Sequence, residues 1–425
     1  MRIIPSIDLG DRPTRNAFYL IVEIFWASIL AAAASFNGAY AIRLGAANVE
    51  IGLLSSLPAL LALLVSIPAG QFLQARAGRK PWIVSALMVN RIGYLIVALV
   101  PFLTLAGLQQ GALVVWIIAL SSAGAHFFNV GFIPMLAEVT PEDRRATVFS
   151  MRNIVYNAFF SVCTLLFGLL LSRIEFPSNY QIMYAIGFVA SCLSTYFLVK
   201  IDAPDATSMT KTQGFSQAFK VQVKTLRDAF TDHPEFIRIT RNTFFYGIGL
   251  WLASPIYILY YVKSLNADDA WIGIQGTILS ATTLIGYTIW RSLLKKWGEP
   301  AILKRIILTA GLYPILAGLL PSLNLILVVV ALNGLLVPGI NLSHFNTLLK
   351  VTPASNRPGY TALYITITNF GAFICPLIGV AIANLIGSGP ALIIFGILSI
   401  LGSSSFWFSP VQKEKVLAPA QPNIN

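Results

Sequence analysis

The feature that most constrains this chain is a series of long apolar runs. A membrane-crossing helix needs about 20 consecutive, mostly apolar residues. Twelve such runs, bounded by charges, Pro or Gly, can be marked at 17–42, 49–73, 81–105, 112–137, 153–171, 181–199, 240–262, 270–290, 303–320, 323–348, 360–386 and 389–408. The first run has a small-residue stretch, Ala31 to Ala34, that imitates a signal-peptide cleavage region. It is too long for one, it carries Glu23, and eleven more runs follow, so it is read as a retained span. Composition agrees. Only 11% of the 425 residues are charged, against roughly 25% in soluble domains, which excludes a soluble enzyme and a disordered chain alike. The three cysteines, Cys163, Cys192 and Cys375, sit in apolar runs and show neither a disulfide framework nor metal-ligand spacing.

The net charge of +12 would suggest nucleic acid if read alone. Its placement says otherwise. With both termini on one side, 25 of the 29 Lys and Arg fall on that side. Arg43, Arg173 and Lys263 fall on the other, and Arg91 lies within a span. Basic loops stay in the cytoplasm, so the reading is a multi-pass protein of the cell membrane with cytoplasmic ends. The largest polar segment, 201–239, reads as a cytoplasmic linker with an amphipathic helix around Ser216 to Phe230. It divides the chain into a six-span unit at 1–200 and another at 240–410, followed by a cytoplasmic tail at 411–425.

The two units repeat one another. Arg15-Asn16 opens span 1 and Arg241-Asn242 opens span 7. Ile51-Gly52 begins span 2 and Ile272-Gly273 begins span 8. Asn129, Val139-Thr140-Pro141, Arg145 and Asn157 recur as Asn341, Val351-Thr352-Pro353, Arg357 and Asn369, all offset by 212. A six-span unit used twice in one orientation is a hallmark of secondary transporters.

With these motifs in view, the chain resembles the major facilitator superfamily over nearly its whole length. The loop after span 2 carries Arg76, Gly78, Arg79 and Lys80 where the family shows a base and then Gly-Arg-Lys. The family's acid is replaced by Ala75, and its first glycine falls one place off, at Gly70. The loop after span 4, Glu138 through Arg145, is also similar to the family's, whereas span 5 lacks the Gly-Pro pair of drug antiporters and span 4 lacks their intramembrane arginine. The resemblance implies an all-α integral membrane fold, with twelve helices in two six-helix bundles related by a parallel pseudo-twofold repeat. It also implies a cavity lined by spans 1, 4, 7 and 10, and gating loops that here comprise Arg76, Gly78, Arg79, Lys80, Glu138, Glu142 and Arg145.

A charge at the bilayer centre costs about 2.5–3.5 kcal/mol on insertion scales, so each intramembrane polar group is a candidate. In span 1, Asn16, Tyr19, Glu23 and Trp26 share a helical face, and Asn37 follows. Glu23 is the candidate proton carrier or cation partner, with an internal ion pair to Arg91 or Arg152, or an acid snorkelling at the membrane edge, as the competing readings. Span 4 offers His126, the second proton-coupling candidate, with Ser122 and Asn129 on the same face. Span 7 offers Asn242, Tyr246 and Tyr257; span 10 offers Asn333, Asn341 and His344. Tyr260 and Tyr261 read as an interfacial aromatic belt. Arg91 reads as a lock between helices. Asn333-Gly334 and Pro338-Gly339 read as breaks in span 10, and Pro376 and Gly379 as breaks in span 11.

No nucleotide-binding loop, zinc-protease motif or serine-hydrolase elbow occurs. The expected function is secondary active transport by alternating access, coupled to protons, as a monomer and without metal or cofactor. The expected solute is a small molecule, neutral and polar, amphipathic or cationic. A transporter-shaped sensor or scaffold without flux, and a polytopic membrane enzyme, are the other classes weighed.

Overall fold

In a computed structural model of the chain, the residues described are 10–103, 109–203, 215–353 and 356–411. The end of the first loop after span 3, the start of the linker and nearly all of the expected tail lie outside them. The described residues form helices and connecting turns, with no strand among them. Twelve helical segments are long and apolar enough to span a membrane. They are Arg12–Arg43, Asn48–Gln74, Lys80–Phe102, Gln110–Val139, Glu142–Arg173, Ser178–Lys200, Pro234–Ser264, Asp269–Trp297, Glu299–Leu319, Leu323–Val351, Gly359–Ile386 and Ser388–Phe408. They are spans 1 to 12 below. Each overlaps an apolar run, and several reach past it into charged sequence. Span 5 starts at Glu142 rather than 153, because Glu142 and Asp143 suit the positive end of a helix dipole.

The spans pack as two six-helix bundles. Span 1 lies against spans 5 and 6, span 2 against span 4, and span 3 against spans 4 and 6. The second bundle repeats this: span 7 against 11 and 12, span 8 against 10, span 9 against 10 and 12. The bundles meet where span 2 packs on span 11 and span 5 on span 8, which are equivalent crossings under the repeat.

The repeated Ile-Gly pair marks these crossings. A Cβ on Gly273 would stand 2.8 Å from the Gly168 Cα, so spans 5 and 8 touch backbone to backbone. Gly52 faces Val380, Leu377 and the Pro376 carbonyl of span 11. Small residues are what allow helices to approach this closely in lipid. The repeated Arg-Asn pair anchors each bundle's first span to its last. Asn16 Nδ2 donates to the Asp202 carbonyl at 2.9 Å, and Asn242 Nδ2 donates to the Ser409 carbonyl at 2.9 Å.

The polar bridges between bundles cluster at the end opposite the termini. Arg43 Nη2 lies 2.9 Å from Asp269 Oδ1, to which the Tyr180 hydroxyl also donates at 2.6 Å. Lys263 Nζ donates to Asn48 Oδ1 at 2.7 Å, and Asn48 Nδ2 to Asn384 Oδ1 at 2.7 Å. At the termini-bearing end the ion pairs turn back into their own bundle. Arg12 meets Asp202 at 2.8 Å, and Lys350 meets Glu299 at 2.7 Å. The linker helix, Phe215–Asp232, lies at this end against spans 7 and 11. Its Ala229 is buried with Phe236, Tyr360 and Leu363.

Three local readings differ from the structure. Spans 10 and 11 run unbroken through Pro338 and Pro376. The Trp290 indole of span 8 donates to the Leu335 carbonyl at 2.7 Å and packs so closely on Gly339 that a Cβ there would clash. The glycine admits the tryptophan ring against the helix backbone. The break falls in span 1, where helix Arg12–Ala34 ends and Asn37–Arg43 begins. Finally, Tyr260 and Tyr261 are buried rather than interfacial. They join Tyr257, Tyr313 and Trp271 in an aromatic cluster, in which the Tyr261 and Tyr313 hydroxyls are 2.9 Å apart.

Candidate substrate site

The break in span 1 opens a cavity of about 560 Å³ between spans 1, 2, 3 and 4, capped by Ile258 of span 7. Ser35, at the break, turns its hydroxyl back onto the Ala32 carbonyl at 2.6 Å. Asn37 begins the next helical piece, and two tyrosines orient its amide: Nδ2 donates to the Tyr94 hydroxyl at 3.3 Å, and Oδ1 accepts from Tyr184 at 2.9 Å. Ser55, Asn90, Ser122 and His126 complete the polar lining. Leu54, Pro58, Ile51 and Ile118 supply apolar wall. A Cβ on Gly38 would sit 3.1 Å from Ile258, so the cavity lies where the two bundles touch. Its lining contains hydroxyls, amides and one imidazole, and no Asp, Glu, Lys or Arg.

The intramembrane charges are elsewhere, inside the first bundle. Glu23, 3% exposed, accepts from Arg152 Nη1 at 2.9 Å and from the Ser194 hydroxyl at 2.9 Å. Arg152 also donates to the Leu20 carbonyl. Arg91, equally buried, donates to the Ser194 hydroxyl at 2.8 Å, to the Thr195 hydroxyl and to the Ser191 carbonyl. One carboxylate and two guanidiniums thus tie spans 1, 3, 5 and 6 together, with Ser194 linking the second arginine to the acid. Of the competing readings of Glu23, the geometry presents the ion pair, with Arg152 as the direct partner.

Of the other span candidates, the structure brings Asn37 and His126 to the cavity and leaves the rest outside it. Tyr19 packs on Phe197 of span 6, with ring centroids 6.2 Å apart. Trp26 is half-buried beside Phe25. Asn129 and Asn341 are exposed on their spans, and Asn333 is half-buried. Asn242 anchors span 12, and Tyr257 belongs to the second bundle's aromatic cluster. His344 Nε2 is 2.6 Å from the Thr243 hydroxyl, with its ring near Tyr364 and Phe406. Tyr246 packs partly buried in the same region. The gating-loop residues close locally. Arg76 lies over the Phe72 ring at 3.4 Å, Arg79 Nη1 is 3.8 Å from Glu138, and Arg145 donates to the Ala137 carbonyl at 2.7 Å. Lys80 donates to the carbonyls of Val199 and Ile201. Gly78 lies between Arg76 and Arg79 in this loop, and Glu142 is exposed at the start of span 5.

Sequence reasoning missed Asn90 and Tyr94, because span 3 was expected to be peripheral. It also missed the Arg43–Asp269 bridge, although Arg43 was one of the few bases on its side.

The sequence profile described as Major Facilitator Superfamily matches residues 17–236 and 242–423. No curated protein matches the chain. Among solved structures, a POT family transporter in complex with 5-aminolevulinic acid is similar with a TM-score of 0.71 at 14% identity, covering 95% of this chain and 98% of that one. The xylose transporter XylE from E. coli, in an inward open conformation, gives 0.65 at 14% identity over 94% of this chain and 96% of that one. The nucleoside transporter NupG gives 0.63 at 16% identity over 92% and 98%. At these identities the likeness speaks to fold, while the profile covers both bundles: the chain belongs to the major facilitator superfamily.

Proposed function

We propose that this protein is a secondary active transporter that moves a small, neutral, polar solute across the cell membrane by alternating access. The observation that carries the reading is the cavity at the meeting of the bundles, lined by hydroxyls, amides and one imidazole and free of fixed charge. A phosphate or polycarboxylate would want inward-facing arginines, and this cavity presents none. Two of the similar structures are named for a nucleoside and for xylose, and a hydroxylated solute of that kind suits these donors and acceptors.

The basic loops set the termini in the cytoplasm. The bridges of Arg43 with Asp269 and of Lys263 with Asn48 then hold the outer ends of the two bundles together. Rocking about the glycine crossings, Gly168 on Gly273 and Gly52 on span 11, exchanges this state for an outward-facing one. Proton coupling is assigned to His126, the one imidazole of the cavity lining. Glu23 is given an architectural role, since freeing it for a proton leaves Arg152 buried without its acid.

The test is uptake into proteoliposomes, with an imposed pH gradient, of a panel of nucleosides, pentoses, organic cations and organic anions. Gradient-driven uptake of a neutral solute is expected, and it should become insensitive to the gradient in His126→Gln. Uptake confined to a charged solute would overturn the assignment of the site. Gradient-driven uptake unchanged in His126→Gln would overturn the role of His126.

A further inference from the structure

The second bundle carries a groove that its repeat partner fills. Between spans 7 and 12, at the termini-bearing end, a space of about 720 Å³ is lined by Phe245, Leu401, Ser404, Ser405 and Phe408, with Arg241 at its mouth. Phe408 is 87% exposed and Leu401 62%, so the groove opens sideways toward lipid.

The first bundle shows what would otherwise occupy it. The buried residues Ser191, Thr195 and Leu198 of span 6 match the buried Ser399, Ser403 and Phe406 of span 12, each 208 residues on. That register sets Tyr196 and Phe197 opposite Ser404 and Ser405. In span 6, Phe197 packs against Tyr19 and Tyr196. In span 12 two serines stand there, and the Ser405 Oγ is buried without a hydrogen-bond partner among the described residues. Arg241 Nη2 donates to Ser409 Oγ at 2.9 Å and to Asn242 Oδ1 at 3.3 Å. A guanidinium has five N–H donors, which leaves capacity for a phosphate at headgroup level.

We propose that this groove holds one anionic phospholipid of the leaflet facing the termini, its phosphate on Arg241 and an acyl chain along Phe245, Leu401 and Phe408. The charge complementarity and the sideways opening single out a membrane lipid as the occupant. The chain takes the place of the first bundle's aromatic pair and steadies span 12 against span 7.

The experiment reconstitutes the full chain into nanodiscs of equimolar phosphatidylglycerol and phosphatidylcholine and counts retained lipids by native mass spectrometry. One basic residue near the surface favours an anionic lipid about fivefold, and that enrichment is expected here. Arg241→Gln, at an exposed position, should lower the ratio by about fivefold. Ser404→Tyr, which puts into the groove the ring that Tyr196 supplies in the first bundle, should remove one retained lipid with Arg241 intact. Absence of enrichment in the natural protein, or enrichment undiminished in Arg241→Gln, overturns the proposal. If Ser404→Tyr does not fold, the arginine variant decides by itself.

Discussion

The two bundles share a backbone plan and differ in where they spend charge. Arg152 of span 5 corresponds to Tyr364 of span 11, and Glu23 of span 1 to Gly249 of span 7. The first bundle fills these places with an ion pair and a second arginine, and the second with a glycine and the neutral set Thr243, His344 and Tyr364. The outer bridges differ too, here with the carboxylate in the second bundle. Asp269 and Asn48 are repeat equivalents, 221 residues apart like Gly273 and Gly52. Each receives a base from the last turn of the other bundle's first span, but only one is a carboxylate. Packing is thus set by the repeat, and charge is added to one copy. A buried charge is costly when unpaired, so the charged copy is intolerant of single changes and the neutral copy is forgiving.

The largest expected effect comes from breaking the charged copy. Glu23→Ala leaves Arg152 buried without its acid and is expected to cost about 3–5 kcal/mol in denaturant unfolding in detergent. Glu23→Ala with Arg152→Met should recover most of that loss, since replacing both partners of a buried pair is often close to neutral. A double variant as unstable as the single would mean that the ion pair is not what holds these spans.

Making the two outer crossings alike tests the next difference. Asp269→Asn should raise labelling of a cysteine placed at Ser35, applied from the outer face, by about tenfold, a coupling of ordinary size for a conformational equilibrium. The native cysteines are replaced for this measurement. Asn48→Asp, which gives Lys263 a carboxylate, should lower the same labelling by about threefold, as a partly exposed ion pair would. If both variants move the labelling in one direction, the bridges do not gate the outer face.

The smallest effect is expected in the neutral copy. His344→Asn removes a hydrogen bond to Thr243 and should cost about 1 kcal/mol, with uptake little changed. A loss comparable with that of Glu23→Ala would erase the contrast between the bundles.

The span count and the repeat were legible in residue order because each depends on local quantities: the length of an apolar run and a fixed offset. The Arg15-Asn16 and Ile51-Gly52 motifs were visible as repeats, but their work, as an anchor to the last span and as a crossing of bundles, needed coordinates. The site was less legible. Of the residues that line the cavity, His126, Asn37 and Ser122 stood out as polar groups in apolar runs, whereas Asn90 and Tyr94 lay on a span expected to face away. In water, the polar face of a helix announces its outer side. In a bilayer, lipid and protein interior are equally apolar, so periodicity does not reveal which face meets a neighbour. What the chain determined alone was therefore how many helices are long and apolar enough to cross, and that they fall into two repeated units. Only the tertiary structure decided that Glu23 meets Arg152 across 129 residues, that Asp269 meets Arg43 across 226, and that an uncharged cavity of the first bundle abuts Ile258 of the second.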